Sequence, residues 1–440
     1  MTTAQHVHTI PILERLFPET GQAGSRVPQP KVQHLELIGI ADDHAVLTFR
    51  TQRFDCAEVQ VINKTNGRAF RSQQSYGRTS EIDPQHQYHF VRVDDLEPQT
   101  EYVVRVLAPG GMQHLAACKL RTLARVSGTV VARIATVNDL HFGEPETGRL
   151  REIERIPLVV RIPGLRKIVT PIRHPDGHSS YPAMMNAGAV SDIAQWQPDL
   201  VVAKGDLTHS GRPEHLDAFR STYAPFENRL LAFRGNHDAA AEKILPGRDL
   251  TVALPGVTVA VVDTVDPGHT RGRIREHQIE WLRSVAAAAT TPVLVFGHHN
   301  LFTRRAGVGP HGSFFYGVNP EDTYRMLRVL DECPAIAGYF SGHSHRNRVT
   351  FGPRGVPIVE TASVKEFPAT WAAYTVREGG LMQTQYPISS PDALAWSAMT
   401  RSMYAGLAPR FARGRATDRA LAIPFTPLRD IREAGSGPSS

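Results

Sequence analysis

The chain has 440 residues, of which 41% are apolar and 21% charged, so two or three domains with sizeable buried cores are expected. Lys and Arg outnumber Asp and Glu by 49 to 43; this mild excess suits an anionic substrate but is too diffuse to indicate nucleic-acid binding. Three scattered cysteines indicate neither a disulfide framework nor a thiolate metal site. The sequence shows no secretory signal and no apolar run of the roughly 18 residues that span a membrane, so we expect a cytoplasmic protein.

The first third of the chain predicts a short leader and a small β-domain. Residues 1–30 are polar and punctuated by Pro and Gly, which is typical of a segment with little structure. Residues 31–123 contain short alternating stretches such as Ala45–Phe49 and Tyr102–Val106, which predict an antiparallel sandwich. The stretch Leu96–Tyr102 resembles the LxPxTxY signature of fibronectin type III domains, whose Tyr returns a hydrogen bond to the backbone at a strand corner.

After residue 130 the pattern becomes α/β, and we expect one α/β domain over residues 130–388. Its apolar, β-branched runs lack alternation, which is typical of strands buried on both faces. These runs are Val130–Val137, Leu200–Ala203, Leu230–Phe233, Val257–Val262, Pro292–Phe296, Ile336–Phe340 and Pro357–Val359. Between them lie helical stretches, one with an apolar stripe from Ile274 to Val285.

Two segments differ from this pattern. Residues 144–180 form a long insertion rich in Arg and Lys. Residues 389–440 begin with a predicted amphipathic helix through Trp396, Met399, Met403 and Leu407, and end in an Arg-rich tail. Because charge runs of this kind are usually solvated faces, neither segment indicates nucleic-acid binding.

Five of the apolar runs end in short polar motifs. The motifs are Asn138–His141, Lys204–Thr208, Arg234–Asp238, Gly297–Asn300 and Ser341–His345. Because ligands bind at the carboxyl ends of the strands in open α/β sheets, five polar strand ends can converge on one place.

The residue types in these motifs indicate a metal centre. Asp, Asn and His supply oxygen and nitrogen ligands without thiolate, a set that suits Mn, Fe, Zn or Co. The ligands are too many for one ion, whereas two ions about 3.5–4 Å apart and bridged by a carboxylate would use them all. Glycines at 205, 235, 297 and 342 fit tight turns where a Cβ would obstruct the backbone or the substrate.

The ordered series DLH, GDLT, GNHD, GHH and GHSH resembles the calcineurin-like metallophosphoesterase superfamily over about residues 131–365. The resemblance implies a four-layer α/β/β/α sandwich that hydrolyses phosphoesters. Within the superfamily, the motifs most resemble bacterial cyclic-nucleotide and glycerophosphodiester-type phosphodiesterases. The fibronectin-like region ahead of them is instead similar to the purple acid phosphatases.

The resemblance also implies a role for each motif residue. It places Asp206 between two ions; the three ligands on either side are Asp139, His141 and His345 for the first ion, and Asn236, His298 and His343 for the second. A hydroxide held by the ions would attack phosphorus in line with the leaving oxygen.

Other motif residues are candidates for contact with the substrate. His237 is expected to point into the site and protonate the leaving oxygen, with Asp238 orienting it or a ligand. His299 is assigned a substrate-binding or supporting role. Arg304 and Arg305 could clamp a phosphate, although exposed loop charges are an equally good interpretation.

Three functions remain open from the sequence. The leading one is hydrolysis of a phosphodiester, a cyclic nucleotide or a glycerophosphodiester, by a metal-bound hydroxide. The second is a phosphomonoesterase related to the acid phosphatases, although His209 stands where that family has a ligating Tyr and His141 is an extra ligand. The third is a binding or adhesion protein with a vestigial site, against which the complete ligand set argues.

Overall fold

A computed structural model describes residues 31–52, 56–67, 69–109, 113–148, 170–175, 180–301 and 317–426. The chain divides into two compact units between Arg125 and Val126. The predicted leader, most of the basic insertion, Arg304, Arg305 and the end of the C-terminal tail lie outside the described residues. None of the described helices combines the length and the apolar character that a membrane crossing requires.

The first unit consists of two four-stranded sheets. Its strands, in chain order, are β1 Lys31–Ile40, β2 Ala45–Gln52, β3 Cys56–Asn63, β4 Ala69–Tyr76, β5 Arg78–Thr79, β6 Gln87–Val93, β7 Glu101–Leu107 and β8 His114–Arg121. The strand orders are β1-β2-β6-β5 and β4-β3-β7-β8, and the described pairs are antiparallel. An apolar core takes side chains from both sheets, among them Leu47, Val59 and Val104.

Tyr102 makes the backbone hydrogen bond that its sequence motif predicts. Its ring is buried in the core of the first unit, and its hydroxyl accepts a hydrogen bond from the backbone N–H of Glu97 over 2.9 Å. The bond joins the start of β7 to the segment before it. The assignment to the fibronectin type III class stays a prediction.

The second unit contains two six-stranded mixed sheets. The first has the order β13-β12-β9-β20-β21-β22, from the strands β9 Val130–Val137, β12 Leu200–Lys204, β13 Leu230–Phe233, β20 Thr370–Arg377, β21 Gly380–Pro387 and β22 Ala420–Pro424. The second has the order β14-β15-β16-β17-β19-β18, from β14 Leu250–Leu254, β15 Val257–Val261, β16 Val293–Phe296, β17 Ile336–Ser341, β18 Arg348–Phe351 and β19 Pro357–Glu360. A two-stranded ribbon pairs β10 Glu146–Thr147 with β11 Ile172–Arg173.

Within the described residues, this unit has five helices of ten or more residues. They are α1 Tyr181–Trp196, α2 Pro213–Tyr223, α3 Glu276–Ala288, α4 Pro320–Glu332 and α5 Pro391–Thr400. Short helical turns cover Met403–Gly406, Ala408–Phe411 and Ala416–Arg419, and 3₁₀ turns cover Ala224–Arg229, Asn236–Ala241 and Pro353–Gly355.

Burial on both strand faces explains the continuous apolar runs. On β16, Leu294 and Phe296 join a core that contains side chains of both sheets, so the sheets pack face to face. Val293 and Val295 point the other way, into a core shared with α3 and α4. On the other sheet, the Trp196 ring at the end of α1 lies 5.7 Å from that of Trp371 on β20. The mixed α/β fold expected from the sequence is therefore present.

The structure differs from the sequence analysis at two places. The strands β20 and β21 were not predicted; β20 pairs antiparallel with both β9 and β21, so the first sheet is parallel only on one side. The predicted C-terminal helix ends at Thr400 instead of running through Leu407. Its continuation is broken because Tyr404 and Ala405 have φ of 55° and 56°, outside the helical region.

Candidate metal centre

Five strands deliver the site residues at their carboxyl ends. β9, β12 and β13 belong to one sheet, and β16 and β17 to the other. The side chains that follow these strands and meet in one cluster are Asp139, His141, Asp206, Asn236, His298, His343 and His345. The structure thus brings all seven predicted ligands together.

Asp206 lies at the centre of the cluster. Its Oδ2 is 3.6 Å from Nε2 of His141 and 3.3 Å from Nε2 of His298. One carboxylate oxygen therefore lies near histidines of two different motifs, as a ligand shared by two ions would.

Asp139 and His345 form one end of the cluster together with His141. Oδ1 of Asp139 is 3.3 Å from Nε2 of His345, and the donor atoms of the three residues lie within 4.8 Å of one another. The backbone N–H of His343 donates to the second oxygen of Asp139 over 2.9 Å, so Oδ1 is the oxygen directed at the histidines. These three side chains can hold one ion.

The second group of donor atoms lies around His298. Its Nδ1 bonds the carbonyl oxygen of Lys204 over 2.8 Å, which makes Nδ1 the protonated nitrogen. Its Nε2 lies 3.2 Å from Oδ1 of Asn236 and 3.2 Å from Nδ1 of His343. Three donor atoms at this spacing, with Asp206 beside them, can hold a second ion.

The burial of these groups fits a metal centre. Oδ1 of Asp139 and both ring nitrogens of His141 are buried without a hydrogen-bond partner in the described residues. A buried polar atom left unbonded costs about 1–3 kcal/mol, which argues that another group satisfies these atoms. Carboxylate, amide and imidazole donors without thiolate suit a divalent transition ion of the Mn, Fe, Zn or Co type.

The pKa values of three histidines in the cluster reflect the competition between burial and the charge of the nearby carboxylates. Burial lowers the pKa of His343 to about 3. Burial opposes the protonation of His298 and His345 too, yet the carboxylates of Asp206 and Asp139 raise the pKa values of these two rings to about 9 and about 10. The paired carboxylates therefore attract cations into a buried site.

Five residues of the cluster adopt a backbone conformation that is unusual for residues with a Cβ. Their φ angles lie between 49° and 66°, in the left-handed region; the residues are Asp139, His141, Asp206, His343 and His345. Such conformations cost of order 1–3 kcal/mol each and persist only where the surrounding structure imposes them. These five residues therefore keep an unfavourable backbone conformation that places their side chains in the cluster.

Two glycines make room for the cluster. A Cβ on Gly235 would lie 2.2 Å from Oδ1 of Asp206, and one on Gly205 would lie 2.6 Å from the ring of His298. Gly205 also has φ of +83°. Both positions therefore require glycine for the reason expected from the sequence.

His237 is partly exposed at the edge of the cluster. Its Nδ1 bonds the carbonyl oxygen of His209 over 2.8 Å, and its ring lies 4.7 Å from that of His141. The ring is thereby oriented with Nε2 as the nitrogen left for a substrate. This geometry fits the predicted role in protonating a leaving oxygen.

Asp238 supports the turn around Asp206. Its carboxylate accepts hydrogen bonds from the backbone N–H groups of Gly235, Leu207 and Thr208 and from the Thr208 hydroxyl. Burial raises its pKa to about 6, while these four donors favour the ionised form. Among the described contacts, Asp238 orients the backbone that follows Asp206 and the start of its own turn rather than the His237 ring.

His299 is fully buried behind the second group of ligands. Nδ1 bonds Oγ1 of Thr264 over 2.8 Å, and Nε2 lies 3.2 Å from the carbonyl oxygen of Thr270. Its ring centre is 4.5 Å from that of His343. Both ring nitrogens are thus engaged, which favours the supporting role over a substrate contact.

Sequence reasoning missed a group of charged side chains beside His141 and His345. Nδ1 of His141 lies 3.8 Å from Oε2 of Glu144, and Nδ1 of His345 lies 2.6 Å from Oε1 of Glu366. Lys365 is buried between the two glutamates. The spacing of three residues between His141 and Glu144 was visible in the sequence, whereas nothing in it connects Glu366 to His345.

Comparison with known proteins shows which family this part of the chain resembles. Residues 132–347 match the family described as "Calcineurin-like phosphoesterase". The range contains all seven residues of the cluster. A metal-dependent phosphoric ester hydrolase with clustered metal-binding residues is therefore the coarse description of this unit.

Among curated relatives, a glycerophosphodiester phosphodiesterase from Enterobacter lignolyticus is 26% identical over 204 residues, which cover 42% of this chain and 71% of the relative. A probable cyclic nucleotide phosphodiesterase from Synechococcus is 25% identical over 221 residues, covering 47% and 84%. Among solved structures, a dimetal phosphatase from Danio rerio aligns with a TM-score of 0.48 at 13% identity, over 68% of this chain and all of that one.

Proposed function

We propose, because residues 132–347 match the family described as "Calcineurin-like phosphoesterase", that the chain hydrolyses a phosphodiester at a site with two metal ions. The observation that carries the proposal is the convergence of seven oxygen and nitrogen donors around Asp206. The substrate class is proposed from the relatives, whose names specify a glycerophosphodiester and a cyclic nucleotide.

The charges of the donor set support an anionic substrate. Only Asp139 and Asp206 carry negative charge among the seven, since amide and imidazole ligands are neutral. When bound, two divalent ions would supply charge opposite the phosphate oxygens and acidify a nearby water. The site would then keep a positive balance that attracts a phosphate ester.

The protein itself would orient the substrate and supply a proton. His237, fixed through Nδ1 to the carbonyl of His209, presents Nε2 at the edge of the cluster. Protonated Nε2 would donate to the leaving oxygen as its bond to phosphorus breaks, which avoids the release of a strongly basic alkoxide. Asp238 would keep the turn around Asp206 in place through its backbone hydrogen bonds.

We propose that the metal ligands divide as the family resemblance implies. Asp139, His141 and His345 would hold one ion and Asn236, His298 and His343 the other, with Asp206 shared. A tyrosine ligand of the purple acid phosphatase type is not expected, because the residue three positions after Asp206 is His209. A cytoplasmic location stays a prediction.

The test is hydrolysis of bis(4-nitrophenyl) phosphate beside 4-nitrophenyl phosphate, with protein stripped of metal and then resupplied with Mn²⁺. We expect metal-dependent turnover that favours the diester, and none from an Asp206→Ala variant purified in parallel, which excludes a contaminating phosphatase. Preference for the monoester would support a phosphomonoesterase instead. Absence of turnover with Mn²⁺, Fe²⁺, Zn²⁺ or Co²⁺ would overturn both.

A further inference from the structure

Glu366 has a buried carboxylate next to the candidate metal centre and belongs to none of the five polar motifs. It lies between β19 and β20, 21 residues after His345 in the chain, with 3% of its surface exposed. Its Oε1 is 2.6 Å from Nδ1 of His345. Because an ionised carboxylate can only accept a hydrogen bond, Nδ1 of His345 must be the protonated nitrogen.

The opposite edge of the same ring faces the cluster. Nε2 of His345 lies 3.3 Å from Oδ1 of Asp139. With the ring proton held at Nδ1 by Glu366, the Nε2 lone pair is directed at the position that Asp139 shares with His141. The His345 ring therefore lies between the Asp139 carboxylate, inside the cluster, and the Glu366 carboxylate, outside it.

Glu366 is itself held in place from two sides. The hydroxyl of Thr147 donates to Oε2, and the ammonium group of Lys365 lies 3.7 Å from the same oxygen. Oε2 therefore faces a hydroxyl donor and an ammonium group, which leaves Oε1 to accept a hydrogen bond from the His345 ring.

A further layer fixes Lys365. Its ammonium group donates to Glu144, whose Oε2 also accepts a hydrogen bond from the Tyr181 hydroxyl over 2.6 Å. The indole N–H of Trp396 donates to the backbone carbonyl of Lys365 over 2.8 Å. The side chains that orient Glu366 thus come from three separate parts of the second unit.

We propose that Glu366 is a positioning residue that fixes the tautomer and the ring orientation of His345, so that Nε2 is presented to a divalent transition ion held with Asp139 and His141. The inference rests on the dinuclear site of the proposed function. Carboxylates that accept the outer N–H of a ligating histidine raise its basicity, and their loss typically weakens metal binding about 10–100-fold.

The experiment measures Mn²⁺ binding without any substrate, from the electron paramagnetic resonance signal of free Mn²⁺. We expect Glu366→Ala to weaken one of two Mn²⁺ sites by about 10–100-fold and to leave the other unchanged. Glu366→Gln should weaken it less, since the amide oxygen can still accept from Nδ1. At saturating Mn²⁺, the Gln variant should recover its kcat.

A matched control is available on the same chain. Glu360 is equally buried, at 2% exposure, and is paired with Arg346 over 2.9 Å. Glu360→Gln removes a buried ion pair too, and we expect it to lower stability while Mn²⁺ affinity stays at the wild-type value. Should Glu366→Ala fail to fold by circular dichroism, Thr147→Val removes only the hydroxyl donor to Glu366 and should weaken the same site several-fold.

The outcomes separate this inference from the proposed function. Wild-type affinity at both sites in a folded Glu366→Ala or Thr147→Val protein would overturn the inference, as would equal losses in Glu360→Gln. Failure of the wild-type protein to bind two Mn²⁺ ions would overturn it together with the dinuclear site. If the metal affinities change as expected but no phosphodiester is hydrolysed, the inference stands and the proposed activity fails.

Discussion

The backbone N–H of His237 donates a hydrogen bond to Oδ1 of Asp206 over 2.9 Å. The other oxygen of the same carboxylate is the one that lies 3.3 Å from Nε2 of His298. One side chain therefore connects the centre of the donor cluster to the residue proposed to protonate the leaving group. Changes at Asp206 should affect metal content and the position of His237 together, whereas changes at His237 should affect catalysis alone.

Replacing Asp206 with Asn should remove charge from the centre of the cluster without changing its size. Because Oδ2 contacts histidines of both groups, we expect metal affinity and rate to fall by more than the about 10–100-fold that follows the loss of a group outside the ligands. Metal analysis of the dialysed protein and turnover of bis(4-nitrophenyl) phosphate check this. Retention of two ions at wild-type affinity would show that Asp206 does not bridge them.

Replacing His237 with Ala should lower kcat by about 10²–10⁴-fold while metal content stays at the wild-type value. The loss should be smaller for a 4-nitrophenyl ester than for a diester with an alkyl leaving group, because 4-nitrophenolate leaves without being protonated. The comparison of the two substrates at saturating Mn²⁺ is the measurement. An equal loss for both, or the loss of an ion, would contradict the proposed role.

Replacing Gly235 with Ala should disrupt the cluster by contact alone. The added Cβ would lie 2.2 Å from Oδ1 of Asp206, so the carboxylate must move. We expect metal affinity and turnover to fall by at least about 10-fold, by analogy with the loss of other groups that orient ligands. Gly352→Ala is the control: its Cβ would meet nothing closer than 3.3 Å, and metal affinity and turnover should not change.

Removal of metal should destabilise the second unit. A ligand that binds only the folded state stabilises it by about 2.7 kcal/mol at 100 times its Kd. Thermal unfolding of stripped protein should therefore shift to higher temperature as Mn²⁺ is added, and the shift should depend on Mn²⁺ concentration. An Asp206→Ala protein should show a much smaller shift; an equal one would place the binding elsewhere.

Replacing Tyr102 with Phe should weaken the first unit and leave the site unchanged. The substitution removes the acceptor for the Glu97 N–H, which costs about 0.5–1.5 kcal/mol of unfolding free energy. Urea unfolding followed by circular dichroism measures this. Tyr76→Phe, at a ring that is 72% exposed, should change neither stability nor turnover. A catalytic defect in Tyr102→Phe would indicate that the two units are coupled.

The sequence was informative wherever a property is local. The run Leu230–Phe233 was predicted with the bounds that the structure gives β13. The motif glycines were predicted from the need for space, which the 2.2 Å approach at Gly235 bears out. The antiparallel strand β20 was missed, because its pairing with β9 depends on a partner more than 200 residues away, and β21, which pairs with β20, was missed with it.

By itself, the sequence determined the donor set: five apolar strands that each end in Asp, Asn or His, a combination whose ligand chemistry indicates a metal centre. Only the tertiary structure decided how those donors are aimed. The left-handed backbone at Asp139 and His345 persists because packing around it imposes a conformation that the residues would not adopt alone. The Glu366 carboxylate reaches Nδ1 of His345 only because β17 and the segment before β20 fold against each other. Such contacts between distant segments leave no mark in local pattern, since they depend on where the sheets place the chain.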